Sequence, residues 1–163
     1  MTIKKIISCF LVILWLVVIF FLSNMDSSKS NQKSEGVINK VVETTLDKTN
    51  DLGITNKHPS QTTKNEFIIK LNTPFRKFMH AFVYLILAIL VFNALYVSSF
   101  NKYKFYLTCF SFCFIYSLID EYHQTFVIGR TGQFIDSIID TFGSLIGIII
   151  CIFYLKKVKK FDA

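Results

Sequence analysis

Four long apolar segments, separated by polar ones, dominate the pattern of this chain. A helix needs about 20 consecutive apolar residues to cross a hydrocarbon core of about 30 Å. The third segment, residues 105–119, reaches this length only if residues 120–124 continue its helix. The pattern therefore predicts an all-α fold, a four-helix transmembrane bundle with helices at about 6–23, 74–100, 105–124 and 134–155.

The polar segment 24–72 is rich in Ser, Asn, Thr, Gln and Lys, which predicts one long extracytoplasmic loop between the first and second helices. Apolar residues recur in it at helical spacing, at Val37, Ile38, Val41, Val42 and Leu46. They fit either a short amphipathic helix, on the membrane surface or against the bundle, or a partly ordered spacer.

Local sequence features indicate where the second predicted helix begins and whether the first one is a signal peptide. Thr73 followed by Pro74 is typical of an N-cap and first helical turn, which places the start of the second helix there. The first helix follows two lysines and resembles a signal peptide, but its apolar part is long and residues 22–25 lack a small-x-small site. We interpret it as an uncleaved anchor.

Basic residues predict the topology. Lysines at 4 and 5, at 102 and 104, and from 156 to 160 fall on one side of a four-span chain. The positive-inside rule assigns that side to the cytoplasm. We therefore expect a multi-pass protein of the cell membrane, formed by a single domain over residues 1–163, with both termini cytoplasmic and residues 120–136 facing outward.

Composition excludes several function classes. The formal charge is +7, but the basic residues adjoin apolar runs and form no stripe with aromatic residues, so we expect no nucleic-acid partner. The four cysteines lie in apolar segments without the spacing of disulfides or zinc ligands, and we expect them to pack. No Walker, dinucleotide, GxSxG or HExxH motif occurs, so no cofactor is expected.

The fourth helix carries a polar stripe. Asp136, Asp140, Gly143 and Gly147 are spaced by four, three and four residues, which places them on one helix face. The GxxxG pair allows a neighbouring helix to approach closely. Both carboxylates are therefore expected to point into the bundle.

Further polar residues converge on the predicted outer side. Carboxylates, imidazoles and cationic groups together can grip an anionic group and move a proton, and ionisable groups at membrane depth are costly. We predict a catalytic set of Asp120, Glu121, His123, Asp136, Asp140 and His80. The predicted substrate-binding set is Arg130, Lys77, Gln124 and Tyr84.

Structural roles and a metal site are alternative interpretations of these residues. Asp120 or Asp140 could simply pair with Lys77 or Arg130 and hold helices together, without any role in chemistry. His80 could be a hydrogen-bonded packing residue, and Tyr84 could anchor its helix at the interface or pack it against a neighbour. A divalent metal could take ligands from two helices, although the spacing matches no known metal signature. The candidate ligands are Asp120, Glu121, His123, Asp136 and Asp140.

The combined motif resembles the signature of the VanZ-like family over nearly the whole chain apart from residues 24–72. The matching elements are Asp120-Glu121-Tyr122-His123-Gln124-Thr125-Phe126, Gly129-Arg130, Asp136, Asp140 and Gly143, together with Lys77, His80 and Tyr84. The chain has Ile128 where the family often has proline. The resemblance implies a small cell-envelope membrane protein linked to glycopeptide resistance, notably to teicoplanin.

Three hypotheses for the function follow. The leading one is that the protein binds or modifies an anionic membrane lipid or lipid-linked cell-wall precursor at the outer leaflet, with Lys77 and Arg130 holding the anionic group. The first alternative is a non-catalytic binder of a precursor or of a glycopeptide antibiotic, and the second is a structural partner of envelope proteins. A transporter is disfavoured, because four spans show no duplicated halves.

Overall fold

The computed structural model describes residues 2–25, 27–51, 61–98 and 102–161. Within these ranges the fold is all-α, as predicted, and contains no strand. The helices in chain order are α1 (Thr2–Ser23), α2 (Ser27–Asp51), α3 (Gln61–Val97), α4 (Lys102–Gln124) and α5 (Phe134–Phe161).

Three of the described helices are long and apolar enough to cross a membrane: Ile3–Ser23, Asn65–Val97 and Phe134–Lys157. They present large apolar side chains outward, for example Phe10, Phe142 and Phe153. Such a surface is suited to lipid and costly in water. The chain is therefore a membrane protein by the length and composition of its helices, while α4 does not reach the apolarity of the other three.

Helix α3 is the centre of the bundle and packs against each of the other four helices. Its interface with α5 is the closest, because a Cβ at Gly143 would overlap the backbone of Ala81, and a Cβ at Gly147 would lie 2.5 Å from the carbonyl oxygen of Leu85. The GxxxG pair thus brings α5 against α3, as its spacing predicts.

Helix α1 is tied to its neighbours by polar groups as well as by packing. Trp15 donates its indole N–H to the carbonyl of Val83 on α3 at 3.1 Å, and the Tyr116 hydroxyl on α4 donates to the carbonyl of Leu16 at 2.9 Å. Cys109 and Cys113 pack as expected, buried in the core with free thiols, whereas Cys9 lies on the apolar surface.

The predicted loop at residues 24–72 is wrong over much of its length, whereas the alternative of an amphipathic helix against the bundle agrees with the structure, although the helix is longer than expected. Residues 27–51 form α2, and α3 begins at Gln61, with Pro74 inside the helix and not at its start. Residue 26 and residues 52–60 lie outside the described residues.

Polar contacts between α2 and α3 explain why the chain is helical there. The Ser34 hydroxyl donates to Asn72 Oδ1 at 2.5 Å, and Asn72 Nδ2 donates to Glu35 Oε1 at 3.1 Å. Buried Ile38 and Ile68 accompany these bonds on the two helices. The contacts join residues far apart in sequence, so they extend α3 before Pro74 although proline removes a helical hydrogen bond.

The connection from α4 to α5 is a short ordered loop. Arg130 N–H donates to the Val127 carbonyl at 3.1 Å, and Gly129 adopts φ 74°. This is the geometry of a type II turn, in which the third position requires positive φ and therefore favours glycine. The turn forms with Ile128 in its second position, where the family often has proline.

Candidate functional site

The predicted site residues gather at one end of the bundle, where α1 and α4 end and α5 begins. Arg130 joins these elements. Its Nε donates to the Met25 carbonyl at 3.0 Å, its NH2 nitrogen approaches the Leu22 carbonyl at 3.4 Å, and its NH1 nitrogen donates to Gln124 Oε1 at 2.9 Å. Two of these contacts hold the end of α1 against the loop, and the third ties the loop to the end of α4.

Gln124 and Glu121 connect the end of α4 to the start of α5. Gln124 Nε2 donates to Glu121 Oε1 at 3.1 Å and lies 3.3 Å from Asp120 Oδ2, while the Gln133 backbone N–H donates to Glu121 Oε2 at 2.9 Å. Asp120, Glu121 and Gln124 are all buried. Glu121 therefore orders the entry into α5.

Lys77 and Asp136 form an ion pair between α3 and the first turn of α5, with Nζ 2.7 Å from Oδ1. Their side chains retain 37% and 29% of their exposure. Water therefore screens the pair, and its contribution to stability is small, about 0.2–1 kcal/mol.

Three side chains from three helices meet beside this pair. His80 on α3, Asp120 on α4 and Asp140 on α5 each place one potential ligand atom within 4.8 Å of the others. Asp140 is completely buried, and its Oδ2 accepts a hydrogen bond from Ser117 at 3.2 Å. Its Oδ1 has no hydrogen-bond partner among the described residues.

Tyr84 and His123 occupy different surroundings. Tyr84 is fully buried in the core, and within the described part of the chain its hydroxyl has no hydrogen-bond partner. The His123 ring packs on Phe20 of α1 with centroids 4.8 Å apart. Neither residue lines the polar cavity described next, and the same is true of Asp120 and Glu121.

A cavity of about 350 Å³ opens among these groups. Six predicted site residues line it: Lys77, His80, Gln124, Arg130, Asp136 and Asp140. We refer to it as the polar cavity. Arg76 also lines it and was missed by the sequence analysis, although its position four residues before His80, on the same helix face, could have identified it.

Two arginines, Arg76 and Arg130, give one part of the polar cavity a local positive charge. Arg76 donates from NH1 to Asn31 Oδ1 at 2.8 Å, which holds its guanidinium in place. Burial lowers the pKa of Arg130, and the nearby positive charge of Arg76 lowers it further. Because these two cations repel each other, an anionic group between them would be stabilised.

An apolar groove of about 340 Å³ adjoins the polar cavity. Its walls come from α1, α2 and α3 and include Ile19, Val37, Phe75 and Val83. Arg76, His80 and Arg130 line both spaces. The two spaces therefore form one amphipathic site, charged at one side and apolar at the other.

Comparison with known protein families identifies a match. The family model described as VanZ/LLP1 matches residues 8–155, which is most of the chain. Neither a curated protein nor a solved structure matches.

Proposed function

Because this chain belongs to the VanZ/LLP1 family, we propose that it is a multi-pass cell-envelope protein that binds an anionic amphiphile at the outer leaflet. The ligand would be an anionic membrane lipid or a lipid-linked cell-wall precursor. Its anionic group would enter the polar cavity, and its hydrocarbon chain would lie in the apolar groove.

The observation that carries this proposal is the pair of adjoining spaces that share Arg76, His80 and Arg130. Guanidinium groups match phosphate and carboxylate by paired hydrogen bonds, and an apolar groove gains free energy by covering a hydrocarbon chain. Arg130 already makes three contacts within the protein, and Lys77 pairs with Asp136, so we assign the grip on the anion mainly to Arg76. If a chemical step follows binding, His80 and Asp140 are the groups placed to carry it, since both line the polar cavity.

We propose four spans with both termini cytoplasmic. The chain leaves the far end of α3 at Val97 and enters α5 at the site end, at Phe134, so α4 must run back along the bundle between them. Its 23 residues extend about 35 Å, enough for a hydrocarbon core of about 30 Å. The lysine-rich ends lie opposite the site, and by the positive-inside rule this supports an outward-facing polar cavity.

Lipid binding to the purified, delipidated protein in a neutral detergent tests the proposal. Fluorescent phosphatidylglycerol and a polyprenyl phosphate are compared with zwitterionic phosphatidylcholine. We expect at least one of the two anionic amphiphiles to bind at least about tenfold more tightly, because a hydrogen bond to a charged group contributes about 1.5–3 kcal/mol. Arg76→Gln should lose this preference, and Lys70→Gln, which removes a charge from an exposed position on the same helix, should keep it. Equal binding of charged and zwitterionic lipids would contradict the proposal.

The family suggests that this binding protects a host from teicoplanin and related lipoglycopeptides, and we propose that role as well. Susceptibility should be measured with the wild-type protein, Asp120→Asn and Arg130→Gln, with membrane abundance checked by immunoblot. Protection by the wild type and failure of equally abundant variants would support the role. Lower folded yield in step with lost protection would instead favour the alternative that the polar cluster only holds envelope proteins or helices together.

A further inference from the structure

The meeting of His80, Asp120 and Asp140 has properties that lipid binding does not explain. The three residues come from α3, α4 and α5. These three helices must therefore pack together before the imidazole nitrogen and the two carboxylate oxygens come within 4.8 Å of one another. Asp120 and Asp140 are 5% and 0% exposed. Bringing two buried carboxylates together costs free energy through desolvation and through their mutual repulsion.

The positive charges nearby do not offset this cost by direct contact. Lys77 pairs with Asp136, and the guanidinium of Arg130 contacts two backbone carbonyls and Gln124. Throughout the described ranges, neither Asp120 nor Asp140 forms an ion pair.

A second observation points to a ligand at the same place. Asp140 Oδ1 is buried and has no hydrogen-bond partner in the described part of the protein, although its Oδ2 is held by Ser117. The fully buried hydroxyl of Tyr84, a residue that lines the apolar groove together with His80 and Asp120, is likewise without a partner there. Buried polar atoms are rarely left unsatisfied, because each costs the free energy of its lost hydration.

The charge balance of the whole site also favours binding of a cation. The acidic side chains in and beside the polar cavity are Asp120, Glu121, Asp136 and Asp140. The basic side chains are Arg76, Lys77 and Arg130. With all carboxylates ionised, acids outnumber bases, and a divalent cation would reverse the sign of the site.

We propose that His80, Asp120 and Asp140 bind one divalent first-row metal cation, such as Zn²⁺ or Mn²⁺. One imidazole nitrogen with two carboxylate oxygens is a ligand set that these metals accept. Ligand bonds of about 2.0–2.2 Å in a tetrahedral site place ligand atoms about 3.4 Å apart. The distances between the three atoms, now up to 4.8 Å, would therefore shorten by at most about 1.4 Å to complete the site. Ser117 and Gln124, which contact the two carboxylates, are the groups that orient them.

The metal set differs from the one expected from sequence. Of the five candidate ligands named there, only Asp120 and Asp140 belong to the group, and His80 takes the place expected for His123. The site also goes beyond the proposed function, since cation binding requires no lipid. Because His80 and Asp140 line the polar cavity, a bound cation would face the anionic group of a ligand there.

Metal binding to the untagged, chelator-treated protein in detergent tests this proposal. After equilibration with Zn²⁺ or Mn²⁺ and removal of free metal, the wild type should retain about one equivalent of metal, measured by inductively coupled plasma mass spectrometry. Binding of Mn²⁺ should also remove the electron paramagnetic resonance signal of the free ion. His80→Gln and Asp140→Asn should each weaken binding at least about tenfold. Glu66→Gln, an exposed acid on α3 that lines neither space, is the matched control and should bind as the wild type does.

Thermal unfolding provides a second readout, because a cation that binds only the folded state raises the melting temperature. The shift should appear in the wild type and in Glu66→Gln and be absent from Asp140→Asn. A wild type that retains no cation, or an Asp140→Asn variant that retains as much as the wild type, would overturn the site. Metal retention without any preference for anionic lipid would support the cation site and contradict the proposed function, so the two claims fail separately.

Discussion

Replacing Gly143 by alanine tests whether close contact between α3 and α5 builds the site. The added Cβ would overlap the carbonyl carbon, carbonyl oxygen and Cα of Ala81. These are backbone atoms, so no side-chain rotation can relieve the overlap, and the two helices must move apart. Overpacking of this kind costs about 1–3 kcal/mol, and the upper end applies where backbone must shift.

Alanine also has an intrinsic advantage over glycine of about 1 kcal/mol within a helix. The net effect of Gly143→Ala should therefore be a loss of about 2 kcal/mol in the free energy of unfolding. Gly147→Ala should cost less, because its new Cβ would lie 2.5 Å from the Leu85 carbonyl oxygen. Gly36→Ala on α2 is the matched control: no heavy atom lies within 4 Å of its Cβ, so the variant should be slightly stabilised.

Unfolding can be followed by titrating the purified protein from mild detergent into dodecyl sulfate and recording tryptophan fluorescence. Trp15 is the only tryptophan in the chain and lies between α1 and α3, where its indole N–H bonds to the Val83 carbonyl. A midpoint for Gly143→Ala equal to that of the wild type, or raised as for Gly36→Ala, would refute the close approach of α5 to α3.

Three smaller changes test other contacts in the fold. Ile128→Pro places proline in the second position of the type II turn and should raise the free energy of unfolding by about 0.4–1 kcal/mol, measured in the same dodecyl sulfate titration; a lower midpoint would contradict the turn geometry. A double-mutant cycle of Lys77→Gln and Asp136→Asn should give a coupling of no more than about 1 kcal/mol, because the pair is partly exposed, and a larger value would show that water is excluded from it. Asn72→Ala should cost about 1–3 kcal/mol and increase amide hydrogen exchange in α2 more than in α5, whereas uniform exchange would argue against the α2–α3 contact.

The apolar segments and the spacing of small residues were enough to predict much of the fold from the sequence. Residues 105–124 are helical as predicted, and the face carrying Asp140, Gly143 and Gly147 does point into the bundle, because helical periodicity fixes which residues share a face. Hydropathy is a local property, however. It gave no sign that Asn72 would bond to Ser34, a contact between polar residues 38 positions apart that extends α3 and orders α2.

For the site residues as well, the sequence predicts which residues come together but not which atoms they contact. Their convergence at one end of the bundle follows from the order of the helices, but their individual partners do not. Arg130, which is predicted to hold an anion, lines the polar cavity and also bonds to the end of α1, while His123 packs on Phe20. Arg76 lies one residue before the matching element that begins at Lys77, so the motif does not mark it.

The proposal that the polar cavity binds an anionic amphiphile is tested most directly by identifying which lipids lie at the cavity. A photoreactive amino acid can replace Thr131, an exposed residue that lines the polar cavity, or Phe142, which is 64% exposed on the apolar surface of α5 and samples bulk lipid. After irradiation in membranes of mixed composition, mass spectrometry identifies the attached lipids. If the polar cavity binds an anionic amphiphile, adducts at residue 131 should be enriched in anionic lipid or polyprenyl phosphate relative to those at residue 142. Equal composition at the two positions, or no lipid adduct at residue 131, would contradict lipid binding in the polar cavity.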